Sequence, residues 1–293
     1  MNRGIARALV ERWALIPPAV VCACLLCFLG LRFAPGGPFA AVQHQDPLQQ
    51  ARLEQLFGLD QPWSTQWWHW LGRALQGDFG ESWHHRGIQV IDLLVSAWPR
   101  SLLRGGSAIV LGLVIGLPLA VALHTQGTPR VRRWAQALVD VMTCLPAFLL
   151  GPLLLLLLSR WSSPGPAIAS DLGRWAGLGL AAIVLGVPIL AATVRWTLHG
   201  LAQVATTPWW QALVMRGVPR YRLGWHYGLG AATPVVVAGL APAAADLLAG
   251  AVAVEVLLGI PGLGLRLAEA IGYRDAPLLL GTVACTVVTV MVV

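Results

Sequence analysis

Lysine is absent. All 20 basic residues of the 293-residue chain are arginine. No G-x-x-x-x-G-K-[ST] phosphate loop can form without a lysine, so any ATP hydrolysis tied to this protein belongs to another polypeptide. Charge of either sign is also scarce, at 11% of residues, against about a quarter in ordinary soluble domains. That leaves too little ionic surface for a water-soluble chain of this length. The five cysteines, Cys22, Cys24, Cys27, Cys144 and Cys285, all fall in apolar runs without zinc spacing and read as small packing residues. There is no H-E-x-x-H and no G-x-S-x-G, and no carboxylates are paired inside an apolar run, so a membrane enzyme lacks its machinery. Gly262 and Gly264 have no third glycine at dinucleotide-binding spacing. The adjacent pair His84–His85 has no third ligand, which is a weak metal signal. No metal or cofactor is therefore expected on this chain. The formal net charge of +7 does not point to nucleic acid, because the arginines fall between apolar runs rather than on one soluble face.

What is present is hydrophobicity, 57% of the chain. It falls into six apolar segments, near Trp13–Leu31, Leu102–His124, Trp134–Leu158, Trp175–Leu198, Pro234–Leu258 and from Leu278 onward. The expectation is an all-α polytopic membrane protein of about six transmembrane helices, one transmembrane domain over residues 1–293. Pro17–Pro18 should kink the first helix. The last segment is still apolar at Val293. Its sixteen residues rise about 24 Å, short of the roughly 30 Å hydrocarbon core, so either the helix begins earlier or, the favoured expectation, the natural sequence continues.

Charge in the connections predicts orientation. Arg3, Arg7 and Arg12 precede the first segment. The 125–133 loop carries Arg130, Arg132 and Arg133 without an acid, and the 195–233 loop carries Arg195, Arg216, Arg220 and Arg222 without an acid. The alternate connections, 34–98, 159–174 and 259–277, are balanced. With six spans every basic segment lies on one side, which predicts both termini in the cytoplasm. The outer segment 34–98 holds Trp63, Trp67, Trp68, Trp70, Trp83 and Trp98 and reads as interfacial, with an external partner's docking surface as a compatible role.

Five strings, in order, resemble one family. They are Arg32-Phe-Ala-Pro-Gly-Gly-Pro38, Leu56-Phe-Gly-Leu-Asp-Gln-Pro62, Gly77-Asp-Phe-Gly-Glu-Ser82, Val254-Glu255 with Ile260-Pro-Gly-Leu-Gly264, and Tyr273-Arg-Asp-Ala-Pro277. Together they are similar to the membrane subunits of dipeptide, oligopeptide and nickel-type ATP-binding-cassette importers, over nearly the whole chain. The resemblance implies the type I importer permease fold, a bacterial inner-membrane location, and import of peptides or similar small solutes. It also implies two separate ATPase subunits that use the ATP, a second similar permease and an extracytoplasmic solute-binding protein. The alternative from a different class is a secondary transporter driven by an ion gradient, which would show internal repeats and broken helices.

In such a family a short helix in the 199–233 cytoplasmic loop seats in the ATPase. Here Met215-Arg216-Gly217, His226 and Pro234 fit its pattern, and Arg195 fits an arginine that opens the segment. Gln203, Pro208, Trp209, Gln211 and Gly230-Ala231 depart from it. Residues 207–217 form the predicted helix, with Thr207 as N-cap, Pro208 as first helical residue and Gly217 as stop. Trp209, Trp210, Leu213 and Val214 supply apolar contacts; Arg216, Arg220 and Arg222 face acidic partners. The competing reading is a helix lying on the anionic inner leaflet.

Ionisable groups inside membrane helices are costly and are functional suspects. Asp140, Asp246 and Glu255 are the translocation-path candidates, Asp246 as a partner for a substrate amine. Glu255, near the outer end of its helix, suits a structural or gating hydrogen bond. Arg104, one turn inside the second helix, is expected to snorkel. Gly112 and Gly116 form a G-x-x-x-G face for close helix packing within the subunit.

Overall fold

The computed structural model describes residues 10–33, 61–85, 87–145, 149–150, 152–153, 156 and 173–292. Among these the chain is mostly helical, and the sole strand-like feature is an isolated bridge between Glu81 and Gln89. The helices are α1 Ile16–Phe33, α2 Trp63–Ala74, α3 Val90–Gln126, α4 Pro129–Cys144, α5 Gly173–Ala205, α6 Pro208–Met215, α7 Leu229–Leu258, α8 Leu263–Gly272 and α9 Ala276–Val292. A short helical piece, Arg220–Arg222, and a π-helical turn, Leu223–Gly228, run into α7.

Four stretches are long and apolar enough to cross a membrane, Val10–Phe33, Val90–Gln126, Ala181–Ala205 and Arg220–Leu258, and Ala276–Val292 is apolar but shorter. Several predicted boundaries move. α3 starts at Val90, twelve residues before the predicted Leu102, because a helix tolerates Asp92, Ser96 and Arg100 where an apolar window does not. The predicted third span, Trp134–Leu158, is not one helix. α4 ends at Cys144, and Leu145 is extended at φ −80, ψ 116. Leu145 precedes Pro146, whose ring disfavours α backbone in the residue before it. The predicted outer loop 259–277 contains α8. The first span is interrupted by a turn at Leu15 just ahead of Pro17–Pro18, where a proline ring would clash with the preceding turn. Residues 34–60 and 157–172, with the strings and the short outer loop read there, lie outside the described residues.

The chain divides into two compact units, Met1–Arg100 with Pro261–Val292, and Ser101–Ile260. In the first, α1 packs on α9: Cys24 and Phe28 are buried with Leu280, Ala284 and Trp67. Trp67 on α2 meets Phe28 at 5.6 Å and Trp70 at 5.5 Å between ring centroids. Two of the family-like strings meet here. The 77–82 turn uses Gly77 and Gly80 at φ 83 and 88, a conformation open to glycine without steric cost. It delivers Ser82, whose hydroxyl donates to Asp275 Oδ2 at 2.5 Å; the His84 amide donates to the same oxygen at 3.1 Å. The other carboxylate oxygen accepts from the Leu278 amide at 3.1 Å, so the fully buried Asp275 caps α9 while holding the turn.

In the second unit α5 and α7 form the main helix pair, and α3 approaches α5 through its small-residue face. A Cβ at Gly112 would lie 2.6 Å from Ile189 Cγ2, and one at Gly116 would lie 2.9 Å from Thr193 Cβ. The G-x-x-x-G face therefore serves close packing inside the subunit. α4 lies on α5, with Val139 buried against Ala191, Val194 and Leu198.

Candidate functional site

Most of the predicted site residues of the second unit fall on two features: the helix after α5, and a cavity beside α5 and α7.

The helix α6 forms where local signals ask for it. Thr207 is extended at φ −77, ψ 146, and Pro208 occupies the first helical turn, where its missing N–H is no loss. The Thr207 hydroxyl does not cap α6; it donates back to the Val204 carbonyl at 2.6 Å. At the other end Gly217 is left-handed at φ 72. Its amide donates to the Val214 carbonyl at 3.0 Å, and the Val218 amide donates to the Leu213 carbonyl at 3.2 Å. That pair of bonds is a Schellman stop.

α6 is two-faced. Trp210 is buried with Val121, Leu201, Val204, Leu223 and Ala232, and Leu213 and Val218 pack against that cluster. Of the apolar residues expected to face a partner, Trp210 and Leu213 thus turn inward and anchor the helix. Trp209, Val214 and Met215 remain exposed, Met215 at 86%. Arg216, Arg220, Arg222 and His226 are exposed beside them, and Arg222 Nε donates to the Tyr221 hydroxyl at 3.0 Å. His226 lies in the π-helical turn. Glycines seat that turn: a Cβ at Gly224 would lie 2.7 Å from Thr125 Cγ2, and one at Gly228 would lie 2.8 Å from Leu201 Cδ2 and 3.0 Å from Trp210 Cζ3. Sequence reasoning missed these glycines. Four-residue spacing flanking an arginine-rich loop was the available signal.

Arg195 does not stand with α6. It sits within α5, ten residues before that helix ends, where its guanidinium reaches Asp140 of α4 at 3.8 Å and Thr143 Oγ1 at 3.5 Å. It also lies 5.9 Å from the ring centre of Trp196. Arg195, Thr143, Trp196 and Asp246 line a cavity of about 580 Å³. Pro188 of α5 and Pro242 of α7 lie in its wall, and each proline removes one helical hydrogen bond there. Gly239 also contributes, since a Cβ at that position would fall 2.2 Å from Trp196 Cδ2. The structure therefore brings Asp140, Arg195 and Asp246 to one region and leaves Glu255 out of it.

Glu255 belongs to a buried polar cluster. The Ser101 hydroxyl donates to Glu255 Oε1 at 2.7 Å, and Arg104 Nη2 is 3.4 Å from the same oxygen. Arg104 and Glu255 are only 1% and 2% exposed, so Arg104 does not snorkel; it turns inward because a buried carboxylate there needs a counter-charge. Among the described residues no group of three or more His, Cys, Asp and Glu could hold a metal ion.

Comparison with known proteins agrees with this architecture. Residues 108–293 match the family described as the inner membrane component of binding-protein-dependent transport systems. The chain is 26% identical over 263 residues to the oligopeptide transport system permease protein OppB of Salmonella typhimurium, covering 87% of this chain and 83% of that one. It is 26% identical over 287 residues to the dipeptide transport system permease protein DppB of Bacillus subtilis, covering 95% and 90%. It is 27% identical over 268 residues to the nickel import system permease protein NikB of Staphylococcus aureus, covering 88% and 78%. These relatives, the long apolar helices and the match over more than half the chain agree, and this polypeptide belongs to the family of inner-membrane permease components of binding-protein-dependent transport systems.

Proposed function

We propose that this chain forms half of the translocation pathway of an importer for peptides or similar small solutes, and that α6 transmits the stroke of a separate ATPase. The observation that carries this is the construction of α6. A helix of two turns, stopped sharply at Gly217 and pinned by Trp210, presents Trp209, Val214 and Met215 beside Arg216, Arg220 and Arg222. An anchored helix with an apolar and cationic outer face can pass force from a docked motor to α5 and α7. A helix that merely floated on lipid would not need its inner face locked into the bundle.

The full assembly in this reading contains two ATPase subunits, a second similar permease and an extracytoplasmic solute-binding protein. ATP is used by the ATPase, and this chain holds no nucleotide. Both termini and α6 lie in the cytoplasm in this reading, which the arginine-rich loops support. Asp140 and Asp246 stand along the pathway with Arg195, whereas Glu255 holds helices together. A cysteine at Met215, probed in inside-out membranes, tests the assignment. It should cross-link to the ATPase, and the bond should form at a different rate when ATP is trapped. Labelling of the same cysteine from outside intact cells would overturn the assignment.

A further inference from the structure

The cavity between α4, α5 and α7 has an uneven charge balance. Arg195 is offset by Asp140 at 3.8 Å and touches Thr143. Asp246 has no basic group within ion-pair distance among the described residues, yet it lines the same space. It lies twelve residues before the end of α7, about 18 Å along the helix axis. Asp246 is exposed to that space, and a carboxylate without a counter-charge on a membrane-spanning helix marks a function by default. The rest of the wall is mainly apolar, with Leu185, Ile189, Leu247 and Trp196. A volume of about 580 Å³ falls inside the range of small-molecule sites, about 300–1,000 Å³. Taken as a sphere, the cavity is about 10 Å across, and two or three extended residues span at most roughly 7–11 Å.

We propose that this cavity is a solute subsite that recognises a cationic amine, with Asp246 receiving the ammonium group and the apolar wall receiving the body of the solute. The inference rests on the importer reading above and deepens it: the permease itself contributes selectivity. A bare metal ion is the poorer occupant, because one carboxylate supplies too few ligands and no metal-holding cluster exists among the described residues. The ammonium group instead needs one charge-assisted acceptor and an apolar surround.

The test is equilibrium dialysis of the purified complex, with its ATPases and second permease but without the binding protein. The probes are radiolabelled trialanine and N-acetyl-trialanine, which differ in the terminal charge. The wild type should bind the free amine about tenfold more tightly, the scale of a hydrogen bond to a charged group. Asp246→Asn should bring that ratio to within about twofold and leave the acetylated probe unchanged, and Asp246→Glu should restore most of the preference. Absence of binding at millimolar probe, absence of a preference in the wild type, or a preference that survives Asp246→Asn would each overturn the subsite. If instead no ATPase assembles with the chain, the importer reading fails first and this inference falls with it.

Discussion

At the residue scale the clearest physics lies in two buried carboxylates. Glu255 is held by Ser101 and Arg104 in a site almost closed to solvent. Removing one member of such a pair leaves an uncompensated buried charge, at a cost of about 3–5 kcal/mol, whereas replacing both by apolar groups can be neutral. Arg104→Met should therefore lower the thermal midpoint of the detergent-purified protein sharply, and the double variant Arg104→Met/Glu255→Met should recover most of the loss. A double variant as unstable as the single one would show that the pair is not the source of the effect. Asp275 poses the same problem in a different form, because three donors converge on it and it caps α9. Neither arrangement could be read from the chain. Ser82 and Asp275 are separated by 193 residues, and Ser101 and Glu255 by 154. The strings that contain Ser82, Asp275 and Glu255 were visible, but a string does not say what it will touch.

Asp78 illustrates a milder residue-scale effect in the same turn. Its carboxylate is held below the usual carboxylate range, chiefly by the hydrogen bond from Arg73 at 2.8 Å and next by the Gly80 amide at 2.9 Å. A depressed native pKa means that the carboxylate's contribution to the turn is present above the ordinary carboxylate range and fades as pH falls through the lowered value. Amide exchange at Gly80 should thus stay slow until the medium is more acidic than the ordinary carboxylate range, and Asp78→Asn should remove that pH dependence. Protection lost already at mildly acidic pH would contradict the assignment.

At the element scale, local chemistry predicted α6 well, because its limits are written by neighbours in sequence. Pro208 fits only a first turn, and Gly217 fits the left-handed stop. What sequence could not say was which tryptophan faces inward. Trp209 and Trp210 are adjacent and chemically alike, and only the cluster around Val121, Leu201 and Leu223 separates their roles. Gly217→Val puts a β-branched residue into left-handed backbone at a cost of about 1–2 kcal/mol. It should fray the end of α6, cut ATP-driven uptake severalfold and leave the thermal midpoint within a few degrees of wild type. Gly116→Leu should behave in the opposite way. It forces side-chain atoms into Thr193, and overpacking of about 1–3 kcal/mol should appear as lost stability and yield before any specific loss of coupling. The boundaries of α3 and α4 were less legible. Hydropathy windows discard polar residues that a helix keeps at α3's start, and they pass over Pro146, which ends α4's path.

At the scale of the whole molecule, the class was legible because it depends on composition alone: too few charges for water and apolar runs long enough for lipid. The chain is accordingly an all-helical, multi-pass permease subunit whose energy source is a separate ATPase. The described residues contain four clear candidate spans, where the apolar segments predicted six. The fold's most informative large-scale property is the direct path from α6 through Trp210 to α5 and α7, and from those helices to the cavity that Asp246 lines. In the proposed reading, a push on α6 is passed to the cavity wall through these packed side chains.

The most direct test of this division of labour is solute uptake into proteoliposomes that contain the chain, its companion permease and the ATPase subunits, with the binding protein supplied outside. Val214→Glu and Met215→Glu, both on the exposed face of α6, are measured against wild type. Uptake should require ATP and the ATPase, and the paired substitutions should abolish it together with ATPase co-purification while the permease remains folded. Uptake by this chain alone, driven by an ion gradient and indifferent to ATP and to these substitutions, would contradict the account.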